Sequence, residues 1–288
     1  MIRHELAFEH IRFGNWWAKI VWSIRMKIKY NIDTSYPDYY WLWNYTKNQP
    51  LLFDKSLPQW VDFTLRPRKW TYDLEEEEWI ESQVEEFRTK NVEVALNFFF
   101  QSSLIIRGIE KEVCDFFEFK QEVVDRIKDK YNKVFSKPVI IIGCRLGDFI
   151  KHGTFFQIPY SWYFKALKEE FPNWYEDYNV LVLSDDIDKA KQLFKPYPFY
   201  YADPNQTHLH VDNFKFYHGD AHEQWLLGTL AKGMVIGNSS FSWAQAHMSS
   251  NLNQAKIVHT GEVFNPKGNH AHCDTSNYYH PSWIHCPI

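Results

Sequence analysis

Five short apolar runs punctuate the second half of this chain, and helix-like segments lie between them. Val139-Ile140-Ile141-Ile142-Gly143 comes first, β-branched and uninterrupted. Asn179-Val180-Leu181-Val182-Leu183 is next, then Phe199-Tyr200-Tyr201, Met234-Val235-Ile236-Gly237 and Lys256-Ile257-Val258-His259-Thr260. Between them, 160–171, 187–194, 222–232 and 241 to about 248 carry helical patterning. Strands that are apolar throughout need cover on both faces, and a parallel sheet between helix layers supplies it. In such sheets ligands bind beyond the carboxyl ends of the strands. The residues just after each run are therefore the ones to inspect.

The first half reads differently. Leu6 to Ile11 alternates like a short strand, Arg12-Phe13-Gly14-Asn15 makes a turn, and Trp16, Trp17, Ile20, Val21, Ile24 and Ile28 follow at helical spacing. Lys19, Arg25, Lys27 and Lys29 fall mostly on the other faces of that helix. Residues 33–70 are aromatic, proline-containing and irregular, a loop of the kind that carries binding residues. Asp73 with Glu76 reads as a capping box opening a helix over 74–90, and Glu75-Glu76-Glu77-Glu78 as its solvated first turn. A further helix, 119–134, stops near Ser136-Lys137-Pro138, where proline cannot continue it. The domain boundary is placed there, giving 1–136 and 137–288.

Composition excludes several classes. Net charge is −4 with no basic stripe, so a nucleic-acid partner is not expected. No run of about 18 apolar residues offers a transmembrane span. The start of the chain lacks the apolar run of a signal peptide, and four cysteines suggest free thiols in a reducing compartment, so a cytoplasmic location is expected. Aromatics make up 18% of the chain. They can stack on sugar rings, although core filling is their simplest use. Trp41, Trp43 and Trp60 stand as sugar-stacking platforms or as core.

Three strand ends carry polar motifs. After the first run comes Cys144-Arg145-Leu146-Gly147-Asp148, where Arg145 can hold a pyrophosphate or pair with Asp148 at the surface. After the second comes Ser184-Asp185-Asp186, whose carboxylates can take ribose hydroxyls or a guanine edge, or cap the next helix. After the fourth comes Asn238-Ser239-Ser240-Phe241-Ser242-Trp243, a helix start that offers an anion site or plain serine capping. Together they supply a cation, a carboxylate and an anion nest where a nucleotide diphosphate would sit. The glycines form neither a dinucleotide fingerprint nor a P-loop, and no nucleophile elbow occurs.

At these residues the chain resembles the α-1,2-fucosyltransferase family and, more distantly, the α-1,6- and protein O-fucosyltransferases. Arg12-Phe13-Gly14-Asn15-Trp16 is similar to the family's opening turn, and Phe99-Phe100-Gln101-Ser102 to its G-Y-F-Q-S segment. Gly143-Cys144-Arg145-Leu146-Gly147-Asp148-Phe149 resembles H-x-R-R-G-D-Y. Leu183-Ser184-Asp185-Asp186 matches F-S-D-D, and 237–246 matches A-N-S-(S/T)-(F/Y)-S-W-W-A-A. The order holds across nearly the whole chain. The resemblance implies an α/β, GT-B-like arrangement of two facing domains. The first, 1–136, would lie on the acceptor side, and 137–288 would be a Rossmann-like donor domain. It implies an inverting, metal-independent transfer from GDP-fucose to a glycan hydroxyl. By the same resemblance Arg145 binds the diphosphate, Asp185 or Asp186 the nucleoside, and Ser239 and Ser240 the phosphates, with Asn238 and Phe241 in the same motif. Asn15 belongs to the turn facing the donor.

Two departures matter. Gly143 stands where the motif has histidine, and Leu146 where it has its second arginine. Another GDP-sugar, a UDP-pentose such as UDP-xylose, or a non-catalytic sugar- or nucleotide-binding relative are the alternatives this raises. Asp148 and His152 are the leading candidates for the base that removes the acceptor proton, ahead of Glu9, His10 and Asp220. The tail residues His270, His272, Cys273, His280, His285 and Cys286 are zinc-type ligands. Their spacing fits no regular finger, and packing or acceptor contact are the other readings.

Overall fold

The structure, a computed structural model, describes residues 2–4, 13–37, 46–48, 52–53, 63–65, 73–90, 94–96, 101–147, 153–202 and 221–288. They form two compact units, Met1–Glu118 with Cys273–His280, and Phe119–His272 with Pro281–Ile288. The helix that precedes Pro138 thus groups with the second unit, ahead of the boundary placed at 136.

The first unit holds a parallel sheet of β1 (Ile2–His4), β2 (Thr34–Pro37), β3 (Leu52–Phe53), β4 (Phe63–Leu65) and β5 (Val94–Leu96), in the order β3-β2-β1-β5-β4. The stretch 33–70, irregular by sequence, therefore carries three strands. Each spans only two to four residues, too few to show a period. The strand expected over 6–11 lies outside the described residues.

Helix α1 (Phe13–Tyr30) begins at Phe13, so Gly14 and Asn15 sit inside its first turn rather than in a separate turn. Trp16, Trp17, Ile20 and Val21 are buried as the spacing predicts, but Ile28 is 51% exposed. Ala18, Lys19, Trp22 and Met26 are buried too. The first three turns are thus enclosed on more than one face, against α3 (Glu110–Phe116) and a 3-10 turn at Ser103–Ile106. Burial pulls the Lys19 ammonium down to about 7, because a charge loses hydration there.

Asp73 caps α2 (Leu74–Lys90), accepting the Glu76 N–H at 2.8 Å. The acidic run after it is solvated only in part: Glu75 and Glu78 are exposed, Glu76 and Glu77 are not. Glu76 and Glu77 are 1% and 4% exposed. Glu77 pairs with Arg25 and, at 3.3 Å, with Arg107, while Glu81 pairs with Lys29. The acids of α2 meet the basic face of α1, so charge that reads as surface in one helix is internal once the two pack. Desolvation still pushes the Glu77 carboxyl upward against its two arginines.

The second unit is built on a six-stranded parallel sheet: β6 (Val139–Cys144), β7 (Asn179–Ser184), β8 (Tyr200–Tyr201), β9 (Gly233–Ile236), β10 (Lys256–His259) and β11 (Ile284–His285). The order is β11-β10-β9-β6-β7-β8. Every residue of β6 and β9 is buried, which is what uninterrupted apolar runs require. The helices are α4 (Gln121–Lys130), α5 (Tyr160–Glu170), α6 (Trp174–Asp177), α7 (Ile187–Leu193), α8 (Ala221–Thr229) and α9 (Ser240–Asn253). Helix α9 outruns the expected end near Met248 and stops where Gln254 turns left-handed at φ 54°.

Much of the aromatic surplus is core. Trp162, Tyr163, Phe164, Phe171, Phe194 and Phe199 pack over the sheet, and Tyr197 stacks on Phe164 with centroids 3.7 Å apart. Trp41, Trp43 and Trp60 lie outside the described residues.

Candidate functional site

All six strands of the second unit run the same way, so their carboxyl ends share one edge. Strands β7, β6 and β9 are neighbours there, with Cys144 opposite Ser184, and Gly143 opposite both Leu183 and Ile236. The three polar motifs read from the sequence therefore leave the sheet side by side.

Arg145 and Asp185 meet. The guanidinium Nε is 3.1 Å from Asp185 Oδ2, and each side chain is 19% exposed. Asp185 also accepts backbone N–H groups from the turn after β6: Leu146 to Oδ1 at 2.8 Å, and Gly147 to Oδ1 and Oδ2 at 3.1 Å each. A Cβ on Gly147 would stand 2.4 Å from Oδ2, so glycine there is the condition for this close approach. The arginine partner expected at Asp148 lies outside the described residues.

Gly143 is equally constrained. A Cβ on it would lie 2.4 Å from Ser242 Oγ and 2.9 Å from Ser242 Cβ. The first turn of α9 leans on the strand at this point. The family's histidine has no volume here, and Gly143 is a packing requirement rather than a vacant ligand position.

Asp186 starts α7, its Oδ1 accepting the Lys189 N–H at 3.1 Å, and its own N–H donates to Ser184 Oγ at 3.1 Å. It does the capping that the sequence allowed. Asn238 is 4% exposed, and its amide donates to Phe156 O at 2.9 Å and Val263 O at 2.8 Å. It ties the loop after β6 to the loop after β10. Between them run a Phe155–Phe264 bridge and bonds from Phe156 N to Val263 O and Asn265 N to Thr154 O. Asn238 therefore holds loops together with the donors expected to serve a ligand.

Ser239 is the N-cap of α9, extended at φ −75° and ψ 123°, and its hydroxyl makes no bond to the helix's own amides. The first-turn amides of a helix lack intrahelical partners and carry its positive end. Ser240 and Phe241 are half-buried, and the Phe241 ring meets Trp225 edge-on at 5.9 Å.

In the first unit, Asn15 accepts a hydrogen bond from the Gln101 amide. The first turn of α1 and Gln101, 86 residues apart, are thus brought together; Phe99 and Phe100 lie outside the described residues. Asp148, His152, Glu9, His10 and Asp220 lie outside the described residues.

Sequence reasoning passed over a histidine pair at the next two strand ends. His259 ends β10 and stacks on His285 of β11, centroids 5.4 Å apart and planes at 19°. His259 Nδ1 accepts the Gly261 N–H at 3.1 Å, and His285 Nε2 donates to Thr260 O at 2.9 Å. Burial, then the His285 ring, lowers His259 to about 4. His259 was visible as the end of an apolar run. Strand β11, wedged between Trp283 and Pro287, was too short to see. Among the described residues, no three His, Cys, Asp or Glu side chains gather to hold a metal ion. The tail's other members are scattered: His270 stacks on Phe264, and Cys273 and His280 belong to the first unit.

No protein-family model matches the sequence, and no curated protein does. Solved structures match in three dimensions. A mutant of FUT1 from Arabidopsis thaliana in complex with GDP is similar at a TM-score of 0.56 and 11% identity, over 89% of this chain and 69% of that one. NodZ α-1,6-fucosyltransferase soaked with GDP-fucose gives 0.53 and 11%, over 90% and 94%. POFUT1 in complex with GDP gives 0.52 and 12%, over 88% and 95%. With two parallel-sheet α/β units and polar motifs on three adjoining strand ends, the chain has the GT-B fold of these fucosyltransferases.

Proposed function

We propose that the protein is an inverting, metal-independent glycosyltransferase that moves L-fucose from GDP-fucose to a hydroxyl of a glycan. One observation carries the reading: Arg145, the Asp185-Asp186 pair and the Ser239-Ser240 helix start leave three neighbouring strands at one edge. The structural relatives named above include complexes with GDP and GDP-fucose. The second unit is the donor side in this reading, and the first supplies the acceptor side.

Inversion in one step needs the acceptor oxygen in line with the anomeric carbon and the departing diphosphate. That C–O bond forms as the bond to the phosphate oxygen breaks, and negative charge grows on the leaving group. In this reading Arg145 and the amides at the start of α9 stabilise it. The acceptor proton goes to a base, for which Asp148 and His152 are the candidates. Four unpaired cysteines, three of them buried, fit a reducing compartment and a cytoplasmic location.

The closed space at Gly143 favours a second reading, a different donor such as UDP-xylose, because one of the motif's groups has no room here. Thermal unfolding with GDP, UDP, GDP-fucose and UDP-xylose separates the readings. Ligand at a hundredfold over Kd stabilises by about 2.7 kcal/mol. Stabilisation by GDP and GDP-fucose is expected. Stabilisation by the uridine nucleotides alone replaces the donor, and silence toward all four removes the transferase reading.

A further inference from the structure

We infer that Asp185 is a positioning residue that holds Arg145 and its turn for a diphosphate, and that it is not a ligand of the nucleoside. This rests on the phosphate role proposed for Arg145. In sequence either Asp185 or Asp186 could contact the base or ribose, or cap the next helix; in the structure Asp186 caps α7 and Asp185 does different work.

Both oxygens of Asp185 are committed. Oδ1 takes the N–H groups of Leu146 and Gly147, and Oδ2 takes Gly147 N–H and the Arg145 Nε. Three donors from one three-residue turn, with the Gly147 N–H shared between Oδ1 and Oδ2, engage both oxygens of the carboxylate. The strand pairing of Cys144 with Ser184 fixes the two turns against each other. Gly147 lets the carboxylate come close enough to take both amides. A guanidinium can take a phosphate end-on through its paired terminal amino groups, an edge that does not include Nε. Asp185 therefore holds Arg145 at Nε and sets the turn that carries it.

Asparagine has one acceptor oxygen where the three donors use two, so Asp185→Asn releases both the turn and the guanidinium. Calorimetric titration of the wild-type chain and variants with inorganic pyrophosphate and with GDP tests this. D185N is expected to weaken pyrophosphate and GDP alike, by roughly tenfold, the scale on which partners behind a ligating side chain act. In an R145A background D185N is expected to add nothing further, since it acts through Arg145. G147A keeps the charge but drives a methyl into the carboxylate. It is expected to reproduce the loss for both probes.

Loss of GDP affinity with pyrophosphate binding intact assigns Asp185 to the nucleoside and overturns the inference. Tighter pyrophosphate binding in D185N makes the carboxylate a competitor for the anion and overturns it too. So does additivity with R145A. If the wild-type chain binds neither probe, the phosphate role of Arg145 fails first. That outcome is distinct from a wild-type chain that binds both and a D185N variant that is indifferent.

Discussion

Substitution of Gly143 by alanine tests whether the fold, rather than the chemistry, excludes a side chain at this strand end. The added Cβ would stand 2.4 Å from Ser242 Oγ and 2.9 Å from Ser242 Cβ. Rotating the serine hydroxyl away relieves the first contact and leaves the second, so backbone has to move. Strand β6 cannot retreat in the plane of the sheet, because it is paired to β7 on one side and β9 on the other. Overpacking of this kind costs about 1–3 kcal/mol. The smaller conformational freedom of alanine in the unfolded chain returns about 0.4–1 kcal/mol. A net loss of about 1–2 kcal/mol lowers Tm by roughly 2–8 °C for a unit of this size. Denaturant unfolding of G143A, S242G and the double variant measures the contact directly. S242G alone costs about 1 kcal/mol as a helical glycine, and in the G143A background it is expected to recover most of the loss. Two penalties that add to within about 0.5 kcal/mol, or a G143A variant as stable as the parent, would refute the contact. The family's histidine, larger still, is then excluded by packing, and G143H is expected not to fold.

Arg145→Ala removes a pair only 19% exposed on both sides but leaves Asp185 its two backbone N–H donors, so the fold should lose about 1–3 kcal/mol. Its turnover in the proposed transfer should fall by about a hundredfold or more, as when an oxyanion donor is removed; equal turnover in the variant rejects the phosphate role. Glu223→Ala strips the partner from Lys130 and Tyr131, with the Lys130 side chain 9% exposed. It should cost about 3–5 kcal/mol by denaturant unfolding, and a loss below about 1 kcal/mol means the pair is not buried as described. His259 has its folded value lowered from 6.5 to about 4, so the unfolded chain binds the proton more readily. Its contribution is complete above pH 6.5 and lost as pH falls through about 4, on the order of 3 kcal/mol across that window. His259→Asn, which can keep an acceptor for the Gly261 N–H, should flatten the acid side of the stability profile; an unchanged slope there excludes His259 as its source.

Legibility in the sequence depended on whether a residue's role is local. The strands 139–144, 179–184 and 233–236 were legible because burial on both faces leaves only apolar residues, and the caps at Asp73 and Asp186 because they act within one turn. The short strands of the first unit were not, since two or three residues have no period. The burial of Glu76 and Glu77 was not, since it depends on a basic face some fifty residues earlier. The candidate site divides in the same way. Arg145, Asp185 and Ser239 are legible because each sits directly after an apolar strand. That Arg145 pairs with Asp185, and that Asn238 ties two loops, depends on which strands are neighbours. Strand order is a property of the whole sheet: β9 comes after β8 in the chain but lies beside β6. The separation between two polar motifs in sequence is therefore no guide to whether they share a ligand. Gly143 sharpens the point, because a departure from a family's motif looks like lost chemistry until the packing of Ser242 shows that a side chain here displaces the first turn of α9. A cation missing from such a motif is best weighed against the partner that orients the one remaining. In this chain the partner that orients Arg145 is Asp185, so the grip proposed for a diphosphate would turn on a carboxylate as much as on the arginine it holds.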